Sequence, residues 1–322
     1  MSLPLTVLLA ARNEAKNLPR CLAALKPAAR VVLLDSHSTD DTVKIAREHG
    51  VEVVPFNYTG AYPKKRQWAL DTLEFLTPWV LLLDADEVVP EQLWQEIAEA
   101  IGAQLPDREV ESLALRGKES AGTASAPNSV RSANGATRPD AFLIRKEFHF
   151  LGRRFRFGGF SHQAVLLFRR DRARFERLID NDPSGFDMEV HERVIVEGRV
   201  GTLHTPLIHE DFKGLEAYRE KHHRYATWEA AVRHRFLTTG RYGEEAIEPT
   251  FFGNAQERRR WLKKLVIRIP GEPLIWFGYH YFVRGGFLEG RAGFVACQIR
   301  AQYIAEVRAK MKANRKREAT RT

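Results

Sequence analysis

Cysteine is almost missing from this sequence. Cys21 and Cys297 are the only two in 322 residues, too few and too far apart for a disulfide framework or a zinc cluster. That scarcity fits a reducing compartment. Missing too is any apolar run of the roughly 20 residues that a membrane-spanning helix needs. Met1 to Ala11 is apolar, but it lacks a basic leader and is too short for a signal segment or a span. No GxGxxG follows the first apolar run and no GxxxxGK(S/T) occurs, which removes a Rossmann dinucleotide site and a P-loop. What is present is ordinary for a folded soluble chain: 44% hydrophobic and 28% charged residues. The length allows one large domain or two.

The net charge of +9 is unevenly spread. Met1 to Leu115 carries 11 Lys and Arg against 17 Asp and Glu, whereas Asn254 to Thr322 carries 16 against 5. An acidic first third and a basic last fifth point to an anionic surface as partner, either membrane or nucleic acid.

Short apolar runs organise the amino-terminal part. Leu5 to Ala11, Val31 to Asp35, Val51 to Phe56 and Val80 to Leu83 read as buried strands. Helices are expected between them, over about Asn17 to Lys26, from the Asp40 region to His49, and from Pro63 to about Phe75. Strand and helix alternating at this spacing predict parallel strands joined by crossover helices. The carboxyl ends of such strands share one edge of the sheet, where open α/β folds bind ligands. Glu14, Asp35 and Asp86 each follow an apolar strand and so gather on that edge. Asp84 and Asp86 are two apart and point to one side of extended backbone. Two carboxylates so placed suit a hard cation that also holds phosphates; alone, the pair would more often be an acidic loop or helix cap after a strand.

Four stretches carry a family resemblance: Ala11-Arg12-Asn13-Glu14, Asp35 to Thr42 (DSHSTDDT), Lys65-Arg66-Gln67-Trp68-Ala69 and Asp84-Ala85-Asp86-Glu87. Their order resembles glycosyltransferase family 2, above all the bacterial lipopolysaccharide-core and exopolysaccharide glycosyltransferases. The resemblance covers about the first 90 residues. It implies an α/β GT-A fold, a nucleotide-diphospho-sugar transferase architecture with a mostly parallel central sheet flanked by helices. It also implies roles. Ala11, Asn13, Glu14, Asp35, Lys65, Arg66, Asp84 and Ala85 would bind the nucleotide sugar, and Asp86 would hold Mg²⁺ or Mn²⁺ against the diphosphate. His37 and Asp41 stand where the family commonly has glycine, so that loop is expected to be remodelled. The reaction implied is inverting transfer of one sugar, from a donor expected to be UDP-linked, to a lipid-linked glycan, lipopolysaccharide core or polysaccharide. The contrasting reading is a non-catalytic carbohydrate- or nucleotide-binding protein that keeps the fold.

Pro90 to about Ala103 reads as an amphipathic helix with Leu93, Ile97 and Ile101 on one face. Arg116 to Pro139 is poor in large apolar residues and reads as a flexible insertion. Strand patterns resume at Phe142 to Phe160 and Ala164 to Phe168, the latter continuing into Arg169-Arg170 much as in the resembling enzymes. An inverting transfer needs a base for the acceptor hydroxyl. Many family members use an aspartate in a Glu-Asp pair; at the corresponding stage this chain has His191-Glu192, which makes Glu192 the candidate, with Asp187 as the other. His191 and His209 are candidate metal or phosphate ligands, or half-buried structural residues. The Gln-x-x-Arg-Trp motif of processive synthases is missing.

The boundaries this suggests are a catalytic domain over 1–212 and a helical, basic region over 213–322. In the latter, Gln256 to Ile269 reads as a basic amphipathic helix, followed by the aromatic run Pro273 to Val283. Such segments either lie in a membrane interface or pack on the catalytic domain. No nucleic-acid motif accompanies the basic residues. The expected location is therefore cytoplasmic, peripheral on the inner face of the membrane, with an anionic membrane surface rather than nucleic acid as partner.

Overall fold

The computed structural model describes residues 2–103, 138–178, 193–241, 243–244, 249–252 and 255–319. Residues 116–137 of the expected insertion lie outside them, as do Asp187, His191 and Glu192.

The amino-terminal half alternates as its apolar runs require. Strand β1 (Leu3–Ala11) is followed by α1 (Leu18–Ala23), β2 (Ala28–Asp35), α2 (Thr42–Glu48), β3 (Glu52–Pro55), α3 (Lys65–Thr72) and β4 (Trp79–Asp84). β1 pairs in parallel with β2 and β4, and β2 with β3. β1 and β4 are nearly continuous apolar runs, and their leucines and valines are buried on both faces of the sheet. The one polar side chain buried in β1, Thr6, shares a hydrogen bond with Thr77 at 2.7 Å. α1 is three residues shorter than expected at its end. The chain turns at Ala24 and Leu25, and Pro27 cannot continue a helix. α2 begins where Asp40 Oδ1 accepts the Thr42 N–H, and Gly50, with φ of 70°, closes the turn after it.

After β5 (Glu87–Val88) comes α4 (Glu91–Ile101), whose Leu93, Trp94, Ile97 and Ala98 pack into the core at the expected helical spacing. β6 (Ala141–Phe150), β7 (Arg153–Arg154) and β8 (His162–Arg169) follow, then β9 (Ala173–Phe175), β10 (Val194–Val196), β11 (Val200–Thr202) and β12 (Leu207–Glu210). The main sheet runs β3-β2-β1-β4-β8-β6-β12-β5, and it is mixed. β8 lies antiparallel to both β4 and β6, so parallel pairing is confined to the first four strands and to the β6–β11 and β6–β12 contacts.

The last third is helical: α5 (Leu215–Thr239), α6 (Ala255–Val266), α7 (Glu272–Gly278), a π-helical turn (Tyr279–Val283) and α8 (Gly290–Ala319). Its own core is built on Trp228, Phe236, Tyr303, Ile304 and Val307. A third cluster, in which Phe148, Phe150 and Phe155 meet Ala292, Ala296 and Ile299, fastens α8 to β6. Among the described residues no helix is long and apolar enough to cross a membrane.

Candidate active site

The register of the sheet brings the acids level. Asp35 pairs with Ala11 and Asp84 with Ala10 across adjacent strands, so both leave the same edge. The chain then turns sharply after Asp84, and β5 pairs with β12, setting His209 opposite Glu87. Candidate oxygens of Asp84, Asp86 and Glu87 lie within 4.8 Å of one another. Asp86 and Glu87 are buried, at 3% and 0% exposure.

Basic side chains from four elements surround these acids. Arg66 of α3 donates to Asp84 Oδ1 at 2.5 Å, and Lys146 of β6 lies 3.1 Å from Asp84 Oδ2 and 2.5 Å from Glu87 Oε1. His209 Nε2 of β12 is 3.3 Å and Lys221 Nζ of α5 is 3.5 Å from Asp86 Oδ2. Burial alone would raise the Asp84 carboxyl, but Lys146 and Arg66 more than reverse it and hold the group well below the usual range. Asp86 is likewise opposed by burial and held low by Lys221 and His209. Glu87 goes the other way: burial raises it, and Lys146 offsets this only in part. Burial disfavours a charged His209, yet Asp86 beside it leaves the imidazole raised. One oxygen escapes the pairing. Asp86 Oδ1 is buried and has no hydrogen-bond partner.

A buried carboxylate oxygen without a donor is costly, and three carboxylates converging on one point form the hard oxygen donor set that suits Mg²⁺ or Mn²⁺. The residues therefore fit such an ion. His209 is beside Asp86, where it can share the carboxylate or ligate.

The other expected nucleotide-binding residues are brought to the same edge, but most already have partners. Glu14 is paired with Lys213 at 2.5 Å and accepts from Asn17 Nδ2 at 2.8 Å; burial leaves its carboxyl raised despite Lys213. Asp35 accepts from Ser38 Oγ at 2.5 Å and from the Ser38 N–H. Asn13, at φ 56°, stitches its loop to the next through Thr39 N–H to Oδ1 at 2.8 Å and its own N–H to Ser38 Oγ at 2.9 Å. Lys65 Nζ donates to the Ala11 carbonyl at 3.4 Å. Ala85 is buried. His37 keeps the left-handed conformation that glycine favours, with φ of 56°, and is tied to Asn57. Histidine therefore carries the strain of a left-handed turn position there.

One pair escaped the sequence reading. Glu210-Asp211, directly after His209, is the Glu-Asp pair in the described structure. The Glu210 N–H donates to the Asp86 carbonyl at 3.0 Å. Asp211 Oδ1 accepts from Asn17 Nδ2 at 2.9 Å, while its buried Oδ2 has no hydrogen-bond partner. The signal was the dipeptide itself, hidden because Pro206 to His209 reads as a strand that simply ends there. Lys146 and Lys221 were missed for another reason: nothing local marks a lysine that folds back onto a distant acid.

A parallel half-sheet with acids at its carboxyl edge, closed by a mixed half that returns His209 to those acids while α5 brings Lys221, defines a GT-A nucleotide-diphospho-sugar transferase fold. The model of glycosyl transferase family 2 matches residues 6–161, a span that includes the carboxylate cluster. The lipopolysaccharide core biosynthesis glycosyltransferase LpsC of Rhizobium meliloti is 24% identical over 314 residues, covering 96% of this chain and 92% of LpsC. A TPR repeat-containing protein of Synechococcus elongatus is 34% identical over 87 residues, which span 27% of this chain and only 21% of that protein. Among solved structures, glucosyl-3-phosphoglycerate synthase from Mycobacterium tuberculosis, in complex with Mn²⁺, UDP and glucosyl-3-phosphoglycerate, aligns at 24% identity. That alignment covers 30% of this chain and 38% of the synthase, with a TM-score of 0.25.

Proposed function

We propose that this glycosyltransferase moves a single sugar, with inversion, from a UDP-linked donor to a lipopolysaccharide core or another lipid-linked glycan. The observation that carries the reading is the carboxylate cluster at the end of β4 with the unpartnered Asp86 oxygen. The near full-length similarity to LpsC supports the acceptor class. A divalent ion bound at Asp86 would offset charge on the leaving diphosphate. Asp35 and Asn13 shape the loops against which the nucleotide lies, and Arg66 and Lys146 hold Asp84 ionised and aimed at the donor. Lys221 of α5, its Nζ 3.5 Å from Asp86 Oδ2, supplies further positive charge where diphosphate charge grows. Asp211 is the described carboxylate suited to take the acceptor proton, since its Oδ2 has no hydrogen-bond partner and the adjacent Glu210 N–H is bonded to the Asp86 carbonyl.

One observation favours the non-catalytic reading: Asp84 and Asp86 are each already engaged by two basic side chains. A protein that had lost the metal would look so. A panel of nucleotide sugars incubated with Mn²⁺, with and without chelator, separates the two. Chelator-sensitive release of UDP from one donor supports transfer. Donor binding without any release, with or without candidate acceptors, supports the alternative.

A further inference from the structure

Large apolar side chains are exposed along one stretch of the helical region. Leu274 is 78%, Phe282 63% and Val283 73% exposed, and Phe287, Leu288 and Phe294 join them. The stretch is continuous. Tyr281 contacts the rings of Phe282, Phe287 and Phe294 at 5.1, 6.3 and 5.8 Å. It also extends onto the catalytic sheet. A Cβ added at Gly285 would lie 3.2 Å from Leu288 and 3.4 Å from Phe157, so the exposed Phe157 of the β7–β8 connection borders the same surface.

Charge on this surface has one sign. From Leu151 to Phe160 and from Pro273 to Arg300 the only acid is Glu289. It is 4% exposed and spends Oε1 on the backbone N–H groups of Arg156 and Phe157, at 2.7 and 2.8 Å. Arg153, Arg156, Arg284 and Arg291 are exposed there and form no ion pair with any carboxylate among the described residues. Arg153 and Arg291 flank an apolar cleft of ≈ 390 Å³ floored by Leu151, Leu215, Ala292 and Val295.

We propose that this composite face, built from the 151–157 loop and the 274–294 segment, docks on an anionic lipid bilayer. Its phenylalanines and aliphatics enter the headgroup region, and the four arginines meet lipid phosphates. Aromatic and aliphatic side chains framed by unpaired arginines match the chemistry of that interface. A second copy is the poorer occupant, because an isologous contact lays the same patch against itself and so sets arginine against arginine. The inference deepens the sugar-transfer reading by giving a lipid-borne acceptor a place. From Lys146, beside Asp84, to Phe150 at its end, the β6 strand spans about 13 Å, which keeps the acidic cluster within a few sugar units of the bilayer.

The test is co-sedimentation of the full chain with phosphatidylcholine vesicles, with and without phosphatidylglycerol, beside UDP release measured in solution. Binding is expected only with phosphatidylglycerol and falls as salt rises. The double variants F282S/V283S and R284E/R291E, all at exposed positions, should each weaken it by about tenfold or more while leaving melting temperature and solution UDP release unchanged. Three outcomes overturn the docking: no binding to phosphatidylglycerol vesicles, variants that bind like the parent, or a concentration-dependent dimer that the F282S/V283S change abolishes. UDP release is read separately, so loss of binding with normal release refutes the docking alone, and binding without release refutes only the transferase reading.

Discussion

Arg233 ties four helices together, and replacing it with methionine should lower stability measurably. Its Nε donates to Glu229 Oε1 at 2.8 Å, and its Nη1 donates to both oxygens of Glu272 at 2.8 and 2.9 Å. Glu229 also holds Lys263 at 3.0 Å, and Glu272 holds Arg308 at 3.0 Å. The network therefore joins α5, α6, α7 and α8, and both carboxylates are nearly inaccessible, at 3% and 5%. Burial opposes the Arg233 charge, but Glu229 and Glu272 raise its pKa, so the guanidinium stays ionised. Breaking a buried pair from one side costs about 3–5 kcal/mol. Each carboxylate keeps a second, more exposed cation in the variant, which places Arg233→Met at the low end, about 3 kcal/mol. At about 1.5 °C per kcal/mol for a chain of this size, the melting temperature should fall by about 4–5 °C. Thermal unfolding followed by circular dichroism measures it, and Arg233→Lys should fall between, because one ammonium cannot reproduce the fork. A fall of less than about 2 °C for Arg233→Met would refute the claim that this network fastens the helices.

Other perturbations separate the remaining roles. Asp211→Asn should abolish sugar transfer while donor binding in the presence of Mn²⁺ is kept, and unchanged turnover would remove Asp211 as the base. Glu289→Ala strands the Arg156 and Phe157 N–H groups and should cost about 2 kcal/mol, read by denaturant unfolding, with vesicle binding weakened alongside. Burial pushes the His222 imidazole down to about 4. The unfolded chain therefore binds the proton more tightly, so stability is full above about pH 6.5 and is lost as pH falls toward 4. His222→Gln should flatten the decline across that window, and an unaltered slope would contradict the burial argument.

Much of the fold was legible because each amino-terminal strand is an unbroken apolar run ending in acid. Burial on both faces leaves such a run no other environment, and the order strand-helix-strand fixes parallel pairing. The end of β4 was legible for the same reason: Leu83 to Asp84 is where the unbroken apolar run stops. What stayed hidden depends on contacts far apart in sequence. Lys221 reaches Asp86 across 135 positions, and no local pattern distinguishes it from the charged residues around it on α5. Glu14 and Asp35 could be named from sequence as acids on the edge, but not that Lys213 and Ser38 would engage them. The aromatic stretch after Pro273 stood out by composition. Its continuation through Phe157 did not, because the two segments meet only once β6 has packed on α8.

The central claim is that Asp86 carries a divalent cation for sugar transfer. The measurement that tests it most directly is Mn²⁺-dependent release of UDP from the active nucleotide sugar by the parent chain and by Asp86→Asn, with melting temperatures taken on both. The account predicts release that chelator stops, and a loss on the order of a hundredfold or more in the variant, whose unfolding stays cooperative. Release by Asp86→Asn at the parent rate, or parent activity indifferent to chelator, would contradict it.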